Sequence, residues 1–201
     1  MPQIIPLATS ADGPALAAIY RPAVTASAIS FEFDPPDAAE MSRRVERCLD
    51  RMPWLVCELE GRVVGYAYAG GHRERAAYQW SADVSAYVHQ DSRRMGIARA
   101  LYTSLFAVLA LQGFRTAFAG ITLPNAASVG LHEAIGFAPV GIYRSVGYKF
   151  GTWHDVAWYG RQLGSYVVEP TPPIPLPDLA GRNEIAAALA AGAAHLRPAA
   201  L

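Results

Sequence analysis

Cysteine is scarce in this chain of 201 residues: there are two, Cys48 and Cys57. They fall in segments read as helix and strand, so a disulfide framework is excluded and free thiols in a cytoplasmic protein are expected. A surplus of one charge is also missing, with Lys+Arg and Asp+Glu at 17 each. Nothing global draws the chain toward nucleic acid or an anionic membrane, and any basic site must be local. No run approaches the ~18 apolar residues of a membrane span, and no signal peptide is recognised. The fingerprint G-x-G-x-x-G is absent, which removes a Rossmann reading. Neither cysteine lies in a motif suited to a nucleophile, and no metal is expected. Charged residues make up 17% and hydrophobic ones 52%, the balance of a compact globular protein.

The stretch from Asp83 to Ala110, "DVSAYVHQDSRRMGIARALYTSLFAVLA", carries the densest local pattern. Ala82, Val84, Ala86 and Val88 alternate with Asp83, Ser85 and Tyr87, as a strand running from Tyr78 to Val88 requires, with a bulge expected to shift the phase partway. After the turn, Ile97, Leu101, Leu105, Val108 and Leu109 fall at helical spacing, and Gly113 ends the helix. Between them lies "RRMGIA". Gly96 and Ala98 remove bulk, the helix start offers free N–H groups and partial positive charge, and Arg93 and Arg94 add cations. That is a place for a phosphate.

Around this unit the chain reads as alternating elements. Gln3 to Leu7 reads as an edge strand, and a helix capped by Ser10 or Asp12 should stop near Tyr20 because Pro22 follows. Val24 to Pro36 reads as a loop or lid. A helix over Asp37 to Arg51 shows a solvated charged face of Glu40, Arg43, Arg44 and Glu46. "WLVCELEGRVVGYAYAGG" reads as a hairpin turning at Glu60-Gly61. "GFRTAFAGIT" is a strand, and "PNAASVGLHEAIGF" a short helix from an Asn125 cap to a Gly136 stop. "APVGIYRSVGYKFGTWHDVAWYGRQL" gives two more strands. Past Gly164 come a Pro-rich linker, "PTPPIPLP", and an Ala-rich helix candidate. The division is therefore a domain over 1–164 and an extension over 165–201, read as a solvated tail with docking as the alternative. The order implies a mixed α/β layer with hairpin-joined strands.

The turn meets Q/R-x-x-G-x-G/A at Arg93, Gly96 and Ala98. Together with "PNAASVGLHEAIGF" it resembles the acetyl-CoA site of the GNAT N-acetyltransferase superfamily. "PWLVCELEGRVVGYAYAG", "AYQWSADVSAYV", "ALYTSL", "LQGF" and "GYKFGTWHDVAW" are similar to its phosphinothricin and methionine sulfone (or sulfoximine) acetyltransferase subgroup, over roughly residues 4 to 163. The resemblance implies an α/β (α+β) GNAT fold. Its sheet would be mixed and mostly antiparallel, of about seven strands, split centrally with helices on both faces. It implies direct acetyl transfer, in a ternary complex, from acetyl-CoA to the primary amine of a small amino-acid-like acceptor. A homodimer is implied, with neither nucleic acid nor membrane as partner. The alternatives are a GNAT enzyme for another amine (antibiotic, polyamine or protein N-terminus) and a catalytically weak acetyl-CoA-binding sensor.

The resemblance also assigns residues. Tyr87, Val88, His89, Arg93, Arg94, Met95, Gly96, Ile97, Ala98, Asn125 and Ser128 would hold acetyl-CoA, with a freed N–H near Tyr87-Val88 aimed at the thioester oxygen. Asp83 stands where the subgroup has a catalytic glutamate. It is one methylene shorter, so it acts as base directly, through a water, or with another carboxylate, or else it orients the substrate. His132 is the proton donor to the leaving thiolate or a packing histidine. Phe31, Arg73, Arg75 and Tyr78 are the acceptor-binding candidates, while Glu32 replaces a residue that can be basic in relatives. His154 and Asp155 line the cleft, orient a loop or meet a second subunit.

Overall fold

The computed structural model describes residues 5–197. Its elements are helices α1 (Gly13–Thr25) and α2 (Ala38–Leu49), strands β1 (Trp54–Leu59), β2 (Arg62–Gly71) and β3 (Ser81–Val88), helix α3 (Ile97–Gln112), strand β4 (Thr116–Thr122), helix α4 (Ala126–Ala134), strands β5 (Ala138–Lys149) and β6 (Thr152–Gln162), and helix α5 (Asn183–Ala190). Among the described residues the strands form one sheet in the order β1-β2-β3-β4-β6-β5, antiparallel at every pair but β3–β4.

Local chemistry explains most boundaries. Glu60 and Gly61 both take positive φ at the β1–β2 turn, the twist a two-residue hairpin demands. Gly113 and Gly136 are left-handed after α3 and α4. Asp37 and Asn125 cap α2 and α4 through their side chains. The α3 stripe of Ile97, Leu101, Leu105, Val108 and Leu109 is fully buried. Leu16, Ile19, Tyr20 and Val24 of α1 and Met41 and Val45 of α2 close the opposite face over Trp54, Val56 and Tyr66.

Several expectations are corrected. The sheet has six strands among the described residues, not about seven. The first run forms only a bridge from Leu7 to Leu55; Gln3 lies outside the described residues. Helix α1 continues through Pro22 to Thr25. The ring leaves the Ala18 carbonyl without its helical donor, but burial of Tyr20 and Val24 on either side outweighs that loss. Strand β3 starts at Ser81 because Ala76–Tyr78 form a 3₁₀ turn, and the β2–β3 register runs without a bulge.

The extension is not a free tail. Trp80 Nε1 donates to Thr171 O, Ile174 N to Gln112 O, and Leu176 N to Arg51 O. Leu176, Val108 and Ala188 then form a small core of their own. Helix α5 runs back along α3, where Ser104 Oγ donates to Leu189 O at 2.7 Å and Gly192 N donates to Ser104 Oγ.

Candidate active site

Strands β3 and β4 pair over only three residues: Ser81 with Thr116, Ala82 with Ala117, and Asp83 with Phe118. β3 runs on to Val88 beside β2, and β4 to Thr122 beside β6, so beyond Asp83 the two part. They are parallel, so their following loops, the turn at 89–96 and Leu123 to Asn125, meet the same end of the gap. Register tells which backbone groups face it. His89 N donates to Val64 O on β2. Residues alternate along a strand, so Tyr87 also addresses β2, while the N–H groups of Ala86 and Val88 turn toward the gap. Of the expected Tyr87-Val88 pair, Val88 has the freed N–H.

The loop beyond β3 is shaped for an anion. Arg94 and Gly96 both hold left-handed backbone, with φ of 65° and 79°. Gly96 is the N-cap of α3 and supplies no side-chain cap, leaving the first-turn N–H groups at Ile97 and Ala98 uncapped by a side chain. Arg93 and Arg94 are exposed beside it, Met95 packs on the core, and the His89 ring accepts from Asp91 N at 3.4 Å. Across the gap Asn125 Oδ1 accepts from Ser128 N. This set fits the diphosphate and pantetheine of acetyl-CoA: a cradle of main-chain donors, two guanidinium groups, and a slot between parting strands.

Asp83 stands at the last β3–β4 pair. Burial raises its carboxyl above the ordinary range, and a hydrogen bond from His72 opposes that shift. The contact is 2.6 Å, from His72 Nδ1 to Asp83 Oδ1. His72 stacks on Phe118 at 4.4 Å and meets Trp158 and Tyr78 edge-on. Motif reading missed His72, because its link to Asp83 needs the β2–β3 register that sets Gly70 against Asp83.

His132 is buried against Tyr102 and Phe137. Its Nδ1 lies 2.7 Å from the Ser128 carbonyl, which can only accept, so the proton sits on Nδ1. Nε2 then accepts the Tyr102 hydroxyl at 3.2 Å. Desolvation lowers its pKa, so the ring is neutral at pH 7.

The acceptor candidates fall in two places: Phe31 beside the β5–β6 hairpin, and Arg73, Arg75 and Tyr78 on the β2–β3 connection beside His72. The Phe31 ring lies on Gly147, where a Cβ would come within 2.2 Å of it, and 6.2 Å from the His154 ring. Lys149 Nζ donates to the carbonyls of Val24, Ser27 and Ser30, fixing the segment before Phe31. Arg73 donates to the His72 carbonyl and lies over Trp158. Arg75 and Tyr78 are exposed on the 3₁₀ turn. The solvated face expected for α2 is instead a network. Arg44 grips Glu32 with both Nη atoms, at 2.8 and 3.1 Å, and Tyr20 OH donates to the same carboxylate. Arg44 therefore holds Glu32 below the usual carboxylate range. A cavity of about 480 Å³ beside them is lined by Tyr20, Arg44, Trp54, Tyr66 and Tyr68 and reaches Gly70 and Gly71. Asp155 binds Arg144 and Ser145 N on β5, so it orients that hairpin. Burial pushes the thiols of Cys48 and Cys57 up to about 12 and about 11, unsuited to nucleophilic attack. Among the described residues no three or more His, Cys, Asp or Glu side chains cluster as metal ligands, and no helix is long and apolar enough to cross a membrane.

Comparison with known proteins agrees with this geometry. Residues 5–158 match the family model of the acetyltransferase (GNAT) domain. The phosphinothricin N-acetyltransferase of Streptomyces viridochromogenes is 41% identical, over 84% of this chain and 90% of its own length. An L-methionine sulfoximine/L-methionine sulfone acetyltransferase of Pseudomonas paraeruginosa is 34% identical, over 76% and 90%. The GNAT superfamily phosphinothricin acetyltransferase of Sinorhizobium meliloti, solved in complex with acetyl-CoA, superposes with a TM-score of 0.80 at 34% identity, covering 85% of this chain and 94% of that one. With its split sheet, glycine-bearing phosphate turn and matched domain, the chain belongs to the GNAT acetyltransferase family and is an N-acetyltransferase.

Proposed function

We propose that this enzyme transfers the acetyl group of acetyl-CoA directly, in a ternary complex, to the primary amine of a small amino-acid-like acceptor of the phosphinothricin, methionine sulfone or methionine sulfoximine type. One observation supports the reading: a partly buried carboxylate, Asp83, stands at the last pair before β3 and β4 separate and is hydrogen-bonded to His72. Acetyl-CoA supplies an activated thioester; the chain supplies the rest. Main-chain N–H groups at Gly96, Ile97 and Ala98, with Arg93 and Arg94, hold the diphosphate. Asn125 and Ser128 border the pantetheine, and the Val88 N–H stabilises the carbonyl oxygen as charge develops. Asp83 anchors the basic centre that takes up the acceptor's proton, directly or through a neighbouring group, and burial raises its carboxyl above the ordinary range. Arg73 and Arg75 face the acceptor's acidic group, and Phe31 and Tyr78 its side.

His132 takes a different part from the expected acid. Its one N–H is engaged by Ser128, and burial disfavours the cation, so in this reading it ties α4 to Tyr102 of α3 and positions Asn125 and Ser128. The thiolate then takes its proton from the reacting nitrogen or solvent.

A second reading, another amine as acceptor, is favoured by the Glu32–Arg44 pair, which neutralises a cation beside the cavity. The experiment is CoA release with phosphinothricin, methionine sulfone, methionine sulfoximine and a panel of amino acids, polyamines and peptide N-termini. Turnover of a named acceptor is expected; turnover only of another amine would replace the first reading by the second.

We also infer a homodimer across the β5–β6 hairpin, where Val140, Ile142, Tyr148 and Trp153 are exposed. Sedimentation equilibrium is expected to give twice the chain mass, and a monomer at micromolar concentration would exclude it.

A further inference from the structure

The Asp83 carboxylate is not free to meet the acceptor amine alone. Its Oδ1 already takes a hydrogen bond of 2.6 Å from His72 Nδ1. Asp83 is one methylene shorter than the glutamate expected at its place, so its own reach is reduced. His72 stands on the acceptor side of it, at the end of β2, with a side chain only 13% exposed. The ring is held in plane by stacking on Phe118 and by the edges of Trp158 and Tyr78. A carboxylate can only accept, so the proton of the neutral ring lies on Nδ1 and the lone pair on Nε2. Among the described residues Nε2 has no hydrogen-bond partner, yet it is not one of the enclosed, unpaired atoms, so it opens to solvent. A fixed tautomer, a carboxylate behind it and an open Nε2 are the parts of a general base.

We propose that His72 Nε2 is the atom that takes the proton from the acceptor ammonium, with Asp83 orienting the ring and balancing its charge. This rests on the acetyltransferase reading and adds a catalytic residue to it. One proton passes from R–NH3+ to Nε2, forming an imidazolium paired with Asp83. The lone pair left on nitrogen forms the C–N bond at the thioester carbon. The C–S bond breaks with its electron pair on sulfur, and the second nitrogen proton passes to that thiolate directly or through solvent. His72 returns its proton to solvent before the next turnover. The groups facing His72 are Asp83 on β3, the adjacent Arg73, and the Tyr78 ring; β4 and β6 present only Phe118 and Trp158.

The test uses the full chain with acetyl-CoA and whichever acceptor the panel identifies. His72→Gln removes the base. His72→Phe removes it too while keeping the ring stacked on Phe118, which guards against a folding artefact. Both are expected to lower kcat about 100-fold with KM for acetyl-CoA within twofold. The acid limb of the wild-type rate should give way to one set by the acceptor alone, a rate that climbs with pH until the amine's own pKa. Asp83→Asn should lose as much, and the Asp83→Asn, His72→Gln double variant little more, because the two act as one unit. A His72→Phe enzyme with wild-type kcat and an unchanged acid limb would overturn the proposal and leave Asp83 as sole base. Wild-type chain that binds acetyl-CoA but acetylates no amine would instead remove the reaction itself, and this step with it.

Discussion

His132 shows how a single side chain can trade one role for another. Its ring is buried, its proton sits toward Ser128, and burial pulls its pKa below the ordinary 6.5. A histidine with a depressed folded pKa binds its proton better unfolded. Its contribution to stability is therefore present above about pH 6.5 and is lost as pH falls through the folded value. Wild-type melting temperature should drop below that pH, and His132→Gln should flatten that part of the curve while starting lower at pH 8. Kinetically the same variant should raise KM for acetyl-CoA several-fold and spare the alkaline limb of the rate. An alkaline limb that disappears in His132→Gln would restore the proton-donor role. Gly96 and Asn125 were legible in the sequence because a turn and a cap demand their types locally, whereas Asp83 was placed by the family resemblance. His72 was not, since its contact with Asp83 crosses two strands and depends on register. Glu32 and Arg44 were missed likewise: their pairing joins an irregular loop to a helix 12 residues on.

Among elements, the β5–β6 hairpin holds the segment leading to Phe31 through one cation. Lys149 is buried and its ammonium donates to three carbonyls, those of Val24, Ser27 and Ser30. These lie at the end of α1 and in the segment leading to Phe31, where no helical donor reaches them. The hairpin also gives Phe31 its seat at Gly147. Lys149→Met keeps the stem's volume but strands two buried acceptors and one partly buried one, at a cost of about 2–3 kcal/mol. The expected result is a lower melting temperature and a several-fold rise in KM for the acceptor, with KM for acetyl-CoA unmoved. Equal changes in both KM values would show that the loop is not specific to the acceptor. Helix and strand existence was readable from periodicity for nearly every element. What failed was Pro22 as a stop, because propensity yields when both flanks of the proline are packed.

At the scale of the whole molecule, the 165–201 extension departs most from its sequence reading. Prolines and alanines signal neither period nor charge, so only packing reveals that the chain returns along α3 to the turn between β3 and α3. At the last described residue, Arg197 N donates to Met95 O at 3.0 Å, and the His195 carbonyl lies where a Cβ on Gly96 would come within 2.0 Å. The Met95–Gly96 peptide is trans, so its carbonyl and N–H point opposite ways. A tail bonded to the Met95 carbonyl therefore backs the loop and leaves the Gly96 N–H directed away from it. Support of that kind holds two left-handed residues, Arg94 and Gly96, in the conformation an anion needs. Gly192→Ala isolates the effect. Gly192 has ordinary helical angles, but an added Cβ would meet the Ala100 carbonyl at 1.9 Å, so the tail must lift from α3. If lifting leaves the loop competent a tenth of the time, the Kd for acetyl-CoA rises about tenfold. Titration calorimetry without acceptor measures this directly, and hydrogen exchange at Met95 to Ala98 should accelerate in parallel. Wild-type affinity in Gly192→Ala, with faster exchange in α5 alone, would show that the extension stabilises the fold without reaching the cofactor.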